Sequence, residues 1–149
     1  MTEKKNDKKK ILIVDDELDV TLALKMYLEQ QGYQVDTFTQ PVKALSQFKA
    51  AFYDLLILDI KMPDMNGFEL YREIKKKDDA VKVFFLTALS EMHDYDAYKK
   101  EVSPKEGERY FIAKPIENEE ILRRINTMIR YSPPENDKER IKLNQHDSL

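Results

Sequence analysis

The chain has 149 residues, of which 42% are hydrophobic, and this size suits one domain with short tails. Charged residues make up 36% and the formal net charge is −3, which argues against a nucleic-acid-binding surface across the whole domain. The absence of cysteine excludes disulfides and thiolate metal sites. Because the longest apolar runs have only four or five residues, we expect a cytoplasmic protein without a membrane span.

Short apolar runs alternate with amphipathic stretches along the chain. The predicted strands are KILIVDD, YQVDTFT, DLLILD, VKVFFLTA and RYFIAKP. A predicted helix follows each strand: residues 18–31, PVKALSQFKAAF, GFELYREIKKK, SEMHDYDAYKKEV and ENEEILRRINTMIRY. Five strand–helix units in succession predict a parallel sheet with helices on both faces. Strands that are apolar throughout, rather than alternating, fit burial on both faces.

The two ends of the chain differ in composition from its middle. We expect residues 1–9 to form a flexible Lys-rich tail, residues 10–131 to form the domain, and residues 132–149 to form a flexible polar tail that opens with a Pro pair.

Polar residues collect where the predicted strands end. They are Asp15, Asp16 and Glu17 after the first strand, Asp59 at the third, Thr87 at the fourth and Lys114, followed by Pro115, at the fifth. Because ligand sites of such sheets lie at the carboxyl ends of the strands, we expect these side chains to converge. Neighbouring carboxylates raise one another's pKa unless a cation is present, and Mg²⁺ prefers oxygen ligands. With a lysine, a hydroxyl and a nucleophilic carboxylate, the set suits a phosphoryl group.

Each of these residues also has a simpler interpretation by itself. The acid pair could begin the next helix, Asp59 could form a turn, and Thr87 could be an ordinary strand residue. Their joint placement at the ends of four strands is much harder to explain in that way.

Four motifs, ILIVDDE, DLLILDIKMPDMNGFEL, FFLTA and FIAKP, resemble the receiver domain of two-component response regulators, in particular the stand-alone, chemotaxis-regulator-like members. The resemblance implies a flavodoxin-like (βα)5 three-layer sandwich with strand order 2-1-3-4-5. The segment of residues 90–108 is longer than the family implies, and the sequence VSPKEGE within it predicts an extended loop after the fourth helix.

The resemblance implies a role for each acid in the set. Asp59 would be the phosphoacceptor and a ligand of Mg²⁺ or Mn²⁺. Asp16 would bind the metal directly, and Asp15 would bind it indirectly, through water. The backbone carbonyl of Lys61 would supply a further ligand.

Residues of the last two strands would complete the site and transmit its state. By resemblance, Thr87 binds a phosphate oxygen, and Lys114 pairs first with Asp59 and then with the phosphate. The bond from Lys114 to Pro115 would be cis. Phe111 would be the aromatic switch residue that follows Thr87. Strand alternation would place Tyr110 and Phe111 on opposite faces.

The implied function is a single-domain response regulator that accepts a phosphoryl group from a histidine kinase or phosphotransfer protein. It would then bind an unknown downstream protein, at a face formed by the fourth helix, the fifth strand and the fifth helix, or relay the phosphate onward. We expect a monomer or a phosphorylation-dependent dimer, no DNA-binding domain and no turnover of small molecules.

Two other functions are considered. One is a phosphate-independent scaffold with a degenerate site, against which the complete set of residues argues. The other is an Mg²⁺-dependent phosphatase of the haloacid dehalogenase type. That family needs a nucleophilic Asp with a second Asp two residues on, whereas Asp15 is followed at that distance by Glu17.

Overall fold

The computed structural model describes residues 8–88 and 110–130 of the chain. Its strands are β1 (Lys10–Val14), β2 (Gln34–Phe38), β3 (Leu55–Asp59), β4 (Lys82–Ala88) and β5 (Phe111–Lys114). Its helices are α1 (Leu18–Gln30), α2 (Pro41–Gln47), α3 (Gly67–Lys75) and α4 (Asn118–Arg130). The strands form one parallel sheet of order β2-β1-β3-β4-β5, which confirms the predicted fold.

The sheet is covered on both faces because its strands are apolar on both faces. One hydrophobic cluster joins alternate strand residues such as Leu12, Leu56 and Phe85 to α2 and α3. The other joins the intervening residues, such as Ile13 and Ile57, to α1 and α4. The strand order reverses between β1 and β3, so a crevice is expected at their carboxyl ends, where Asp15 and Asp59 lie.

Helix α2 is shorter than the sequence pattern predicts. The prediction extended it through KAAF, but it ends at Gln47, and Phe48 adopts an extended conformation with φ −64° and ψ 136°. The reason is packing, since Phe48 is buried and stacks on Tyr53 with ring centroids 5.7 Å apart. Helix propensity in the following alanines gives way to this tertiary contact.

The placement of Tyr110 also differs from the prediction. Tyr110 and Phe111 do not lie on opposite faces, because both pack against the same cluster as Phe85. Tyr110 precedes the first residue of β5, so the alternation of strand side chains does not reach it. The ring of Phe111 lies 5.5 Å from that of Phe85 and 6.0 Å from that of Phe68.

Several predictions lie outside the described residues. They are the fourth predicted helix, the extended loop predicted after it, residues 1–7 of the predicted N-terminal tail and the whole predicted C-terminal tail. The predicted domain boundaries therefore stay predictions. Within residues 8–88 and 110–130, no helix combines the length and the apolar composition needed to cross a membrane.

The loop after β3 is fixed by a helix cap and a close backbone approach. Asn66 caps α3 in a capping box: the backbone N–H of Glu69 donates to its Oδ1 at 2.9 Å, and its own N–H donates to Glu69 Oε1 at 2.9 Å. The next residue, Gly67, donates its N–H to Ile60 O at 2.9 Å. A Cβ on Gly67 would lie 2.3 Å from the backbone oxygen of Asp59. Only glycine therefore fits where α3 meets the end of β3.

This close approach predicts that Gly67→Ala destabilises the protein by about 1–3 kcal/mol, since backbone must move to relieve the overlap. Gly32→Ala is the comparison: Gly32 has φ +98° but open space around its Cβ position, so only backbone strain of about 1 kcal/mol is expected. Urea unfolding measures both free energies.

Amide NMR spectra locate the two effects. Gly67→Ala should shift the signals of Asp59 and Ile60, whereas Gly32→Ala should leave them in place. Unchanged stability and unchanged signals in Gly67→Ala would contradict the packing argument.

Candidate functional site

Three carboxylates meet at the carboxyl ends of β1 and β3. Asp15 and Asp16 follow β1 directly and Asp59 ends β3, the strand beside it. One oxygen from each lies within 4.8 Å of the others. Asp15 is fully buried, Asp59 is 5% exposed and Asp16 is exposed, so the cluster lies at the surface but is open mainly on the Asp16 side.

Lys114 reaches this cluster from the end of β5. Its Nζ lies 3.2 Å from Asp15 Oδ2, 3.3 Å from Asp59 Oδ1 and 3.4 Å from Glu17 Oε1. The side chain of Lys114 is 19% exposed, so these contacts are only partly screened by water. The Lys114–Pro115 bond, directly after the strand, is cis.

The pKa of each buried group reflects this crowding. Burial, and then the charge of Asp15, raises the pKa of Asp59 to about 7, although Lys114 acts in the opposite direction. Burial also raises the pKa of Asp15, against the backbone N–H of Glu17 and the charge of Lys114. Burial alone would lower the pKa of Lys114, but the charges of Asp59 and Asp15 outweigh it and the pKa rises.

The arrangement suits a cation. The single positive charge of Lys114 does not balance three carboxylates, and the raised pKa values of Asp15 and Asp59 show that ionising both is costly. Clustered carboxylate oxygens are the donors that a hard divalent cation prefers. The residues present therefore fit an Mg²⁺ or Mn²⁺ ion.

The remaining predicted site residues are Thr87, Lys61 and Phe111. Thr87 is buried and pairs with Ala113 in the β4–β5 register, one residue beyond the partner of Asp59. Its Oγ1 lies 3.4 Å from the backbone oxygen of Ala88. Lys61 is exposed in the loop after β3, and the role of its carbonyl as a metal ligand stays a prediction. Phe111 lies on the same sheet face as Thr87, in the aromatic cluster rather than at the carboxylates.

The sequence analysis gave no role to Glu17. The structure places its carboxylate against Lys114, and its backbone N–H donates to Asp15 Oδ1 at 2.9 Å. The available signal was its position: Glu17 precedes α1 at the N-cap, where Ser, Thr, Asp or Asn is preferred over Glu.

Comparisons with known proteins identify the family and the fold of this chain. The family model of the response regulator receiver domain matches residues 11–126. The response regulator ArlR of Staphylococcus saprophyticus is 34% identical over 127 residues, which are 85% of this chain and 55% of ArlR. ArlR of Staphylococcus aureus is also 34% identical, over 83% of this chain and 53% of its own length. The chain thus spans about half the length of these curated relatives.

Solved structures show the same fold. The non-phosphorylated HemR receiver domain of Leptospira biflexa superposes with a TM-score of 0.72 at 31% identity, covering 85% of this chain and 98% of that one. The response regulator TrrA of Thermotoga maritima, solved in complex with Mg²⁺–BeF, gives 0.63 at 32% identity, covering 80% and 98%. The matched family model covers the carboxylate cluster and all five strands except Lys10, the first residue of β1. The chain belongs to the response regulator receiver domain family.

Proposed function

We propose that Asp59 accepts a phosphoryl group from a phosphohistidine on a histidine kinase or phosphotransfer protein, and that the phosphorylated chain then binds a downstream protein. The observation that carries this proposal is the position of Lys114, whose ammonium contacts both Asp59 and Asp15 at the carboxyl ends of the strands. Membership of the receiver family supports the same reaction.

The transfer needs Asp59 in its ionised form. One carboxylate oxygen attacks the phosphorus, so an O–P bond forms while the N–P bond to the imidazole breaks. The bonding pair stays on the imidazole nitrogen, which takes a proton from water. Lys114 lies 3.3 Å from Asp59 Oδ1, where it favours the ionised carboxylate before transfer and can follow the phosphoryl oxygens afterwards.

Asp15, Asp16 and Asp59 are the residues that would hold a divalent cation, with the backbone carbonyl of Lys61 as a further proposed ligand. When bound, Mg²⁺ or Mn²⁺ supplies positive charge that offsets the carboxylates and the phosphoryl oxygens. The neighbour TrrA, solved with Mg²⁺–BeF, supports this assignment.

Thr87 is proposed to hydrogen-bond a phosphoryl oxygen and to pass the change to Phe111. Both lie on one face of the sheet, since Thr87 pairs with Ala113, two residues beyond Phe111. Phe111 is buried against Phe85 and Phe68 and has no hydroxyl to draw it into solvent. The proposed output face includes β5 and α4, together with residues outside the described ranges.

A phosphohistidine partner must approach the exposed side of the site, and α1 offers it a contact surface. Leu18, Leu22 and Met26 are 57%, 44% and 63% exposed and recur every four residues, so they share one side of the helix. This α1 stripe starts directly after Glu17, which itself touches Lys114. We propose that the phosphodonor protein packs on it.

Intact mass after treatment with acetyl phosphate and Mg²⁺ tests the acceptor. We expect wild type to gain one phosphoryl group of about 80 Da. Asp59→Asn, which cannot form the acyl phosphate, should gain none, and EDTA should abolish the gain in wild type. No gain in folded wild type that binds Mg²⁺ would favour the phosphate-independent scaffold.

The raised pKa of Asp59 predicts a pH-dependent stability difference. Its pKa is about 7 in the folded protein against 3.8 ordinarily, so ionising it costs folding free energy as pH rises between these values. In EDTA at pH 8, Asp59→Asn should be more stable than wild type by about 1–3 kcal/mol, because the variant has no buried carboxylate to ionise. The loss of the contact with Lys114 offsets part of this gain. The difference should vanish below pH 4.

Denaturant unfolding at pH 4, 6 and 8 measures this difference. Asp64→Asn, at an exposed acid of the same loop, is the matched control for the loss of one carboxylate. A pH-independent difference between wild type and Asp59→Asn would show that Asp59 ionises as in the unfolded chain.

The α1 stripe predicts that a substitution on it slows phosphorylation by a protein phosphodonor but not by a small-molecule phosphodonor. With a histidine kinase that phosphorylates wild type, Met26→Glu should lower the rate of phosphorylation about tenfold, because the substitution places a charge in an apolar contact. Phosphorylation by acetyl phosphate should be unaffected. Val42→Glu, at an apolar residue of α2 that is 56% exposed, is the control. Equal rates from the kinase for Met26→Glu and wild type would exclude the stripe.

A further inference from the structure

Lys114 is shared between the buried site and the surface. Two of its partners, Asp15 and Asp59, are buried, with side chains 0% and 7% exposed. The third partner, Glu17, has a side chain that is 64% exposed. The ammonium therefore lies between the phosphoacceptor on one side and a solvent-facing carboxylate on the other.

The side chain of Glu17 contacts Lys114 instead of capping the helix that follows it. Glu17 is the N-cap of α1, with φ −92° and ψ 109°, but its side chain makes no capping hydrogen bond. The carboxylate instead reaches across to β5, 97 residues away in sequence, while the backbone N–H fixes Asp15. Glu17 thus orients two members of the site without belonging to the carboxylate cluster.

We propose that Glu17 is a positioning residue that draws Lys114 towards solvent and competes with the phosphoryl group for it. This inference rests on the proposed function, since it needs the cation and the phosphoryl group at Asp59. The physical basis is that one ammonium has three donors and a single positive charge, and three carboxylates already contact it. A phosphoryl oxygen therefore gains a donor from Lys114 only where a carboxylate such as Glu17 gives one up.

The competition has opposite consequences for the two ligands. In the unphosphorylated site, the carboxylate of Glu17 offsets part of the positive charge that Lys114 presents to Asp15 and Asp59, so these carboxylates attract a cation more strongly. In the phosphorylated site, it withholds positive charge from the phosphoryl group and adds a negative charge nearby. Glu17 therefore favours binding of Mg²⁺ and opposes binding of the phosphoryl anion.

Two dissociation constants test this on the full chain: that of Mg²⁺ alone, and that of beryllofluoride, a phosphoryl analogue, at saturating Mg²⁺. In Glu17→Gln we expect the Mg²⁺ constant to rise and the beryllofluoride constant to fall, each by about two- to fivefold, as suits a partly exposed ion pair. Calorimetric titration measures both. A general loosening of the site would instead weaken both ligands.

Two further variants separate the contact from net charge. Asp19→Asn removes the same charge from the first turn of α1 and should change either constant less than half as much. Glu17→Asp keeps the charge on a stem one methylene shorter, and should move both constants in the same directions as Glu17→Gln, by a smaller factor.

Each remaining outcome overturns the inference. Constants that stay at wild-type values or move in the same direction in Glu17→Gln would show that Glu17 does not compete for Lys114. Equal effects of Asp19→Asn, or wild-type constants in Glu17→Asp, would assign the change to net charge. Failure of wild type itself to bind beryllofluoride with Mg²⁺ would overturn the proposed function as well, so the two failures are distinguishable.

Discussion

The constraint on which the rest of the structure depends is the excess of negative charge at one edge of the sheet. Asp15 and Asp59 are buried within reach of each other, and their raised pKa values record the cost of ionising both. Apolar strands hold the two carboxylates in place whether or not the charge is balanced, because β1 and β3 are buried on both faces. The site therefore carries negative charge that the ammonium of Lys114 balances only in part.

Most of the fold follows from signals that are local in the chain. Apolar runs ending in acids marked β1 and β3, and the succession of strands and helices fixed the parallel arrangement. The errors arose where tertiary packing decided the outcome. Phe48 ends α2 because its ring is buried beside Tyr53. Tyr110 packs on the same cluster as Phe111 because β5 begins at Phe111, two residues later than predicted. Neither contact can be seen in a window of neighbouring residues.

The candidate site was predictable to the extent that strand ends converge. That rule brought together Asp15, Asp59 and Lys114, which are separated by up to 99 residues in sequence. An oxygen of each aspartate lies within 3.3 Å of Lys114 Nζ. It included Glu17 in the converging set but gave it no role, since an exposed acid at the start of a helix is ordinarily a solvated or dipole-pairing residue. Its role depends on the direction in which a flexible side chain turns, which the spacing of residues does not determine.

The close approach of Gly67 to the backbone oxygen of Asp59 has a consequence for how the site can respond. The end of β3 and the start of α3 are held together by backbone contacts, including the N–H of Gly67 on Ile60. These contacts fix the backbone at Asp59, the proposed phosphoacceptor. A signal that begins at Asp59, as proposed, would therefore leave through side chains of the other strands, with α3 as a support fixed to the end of β3.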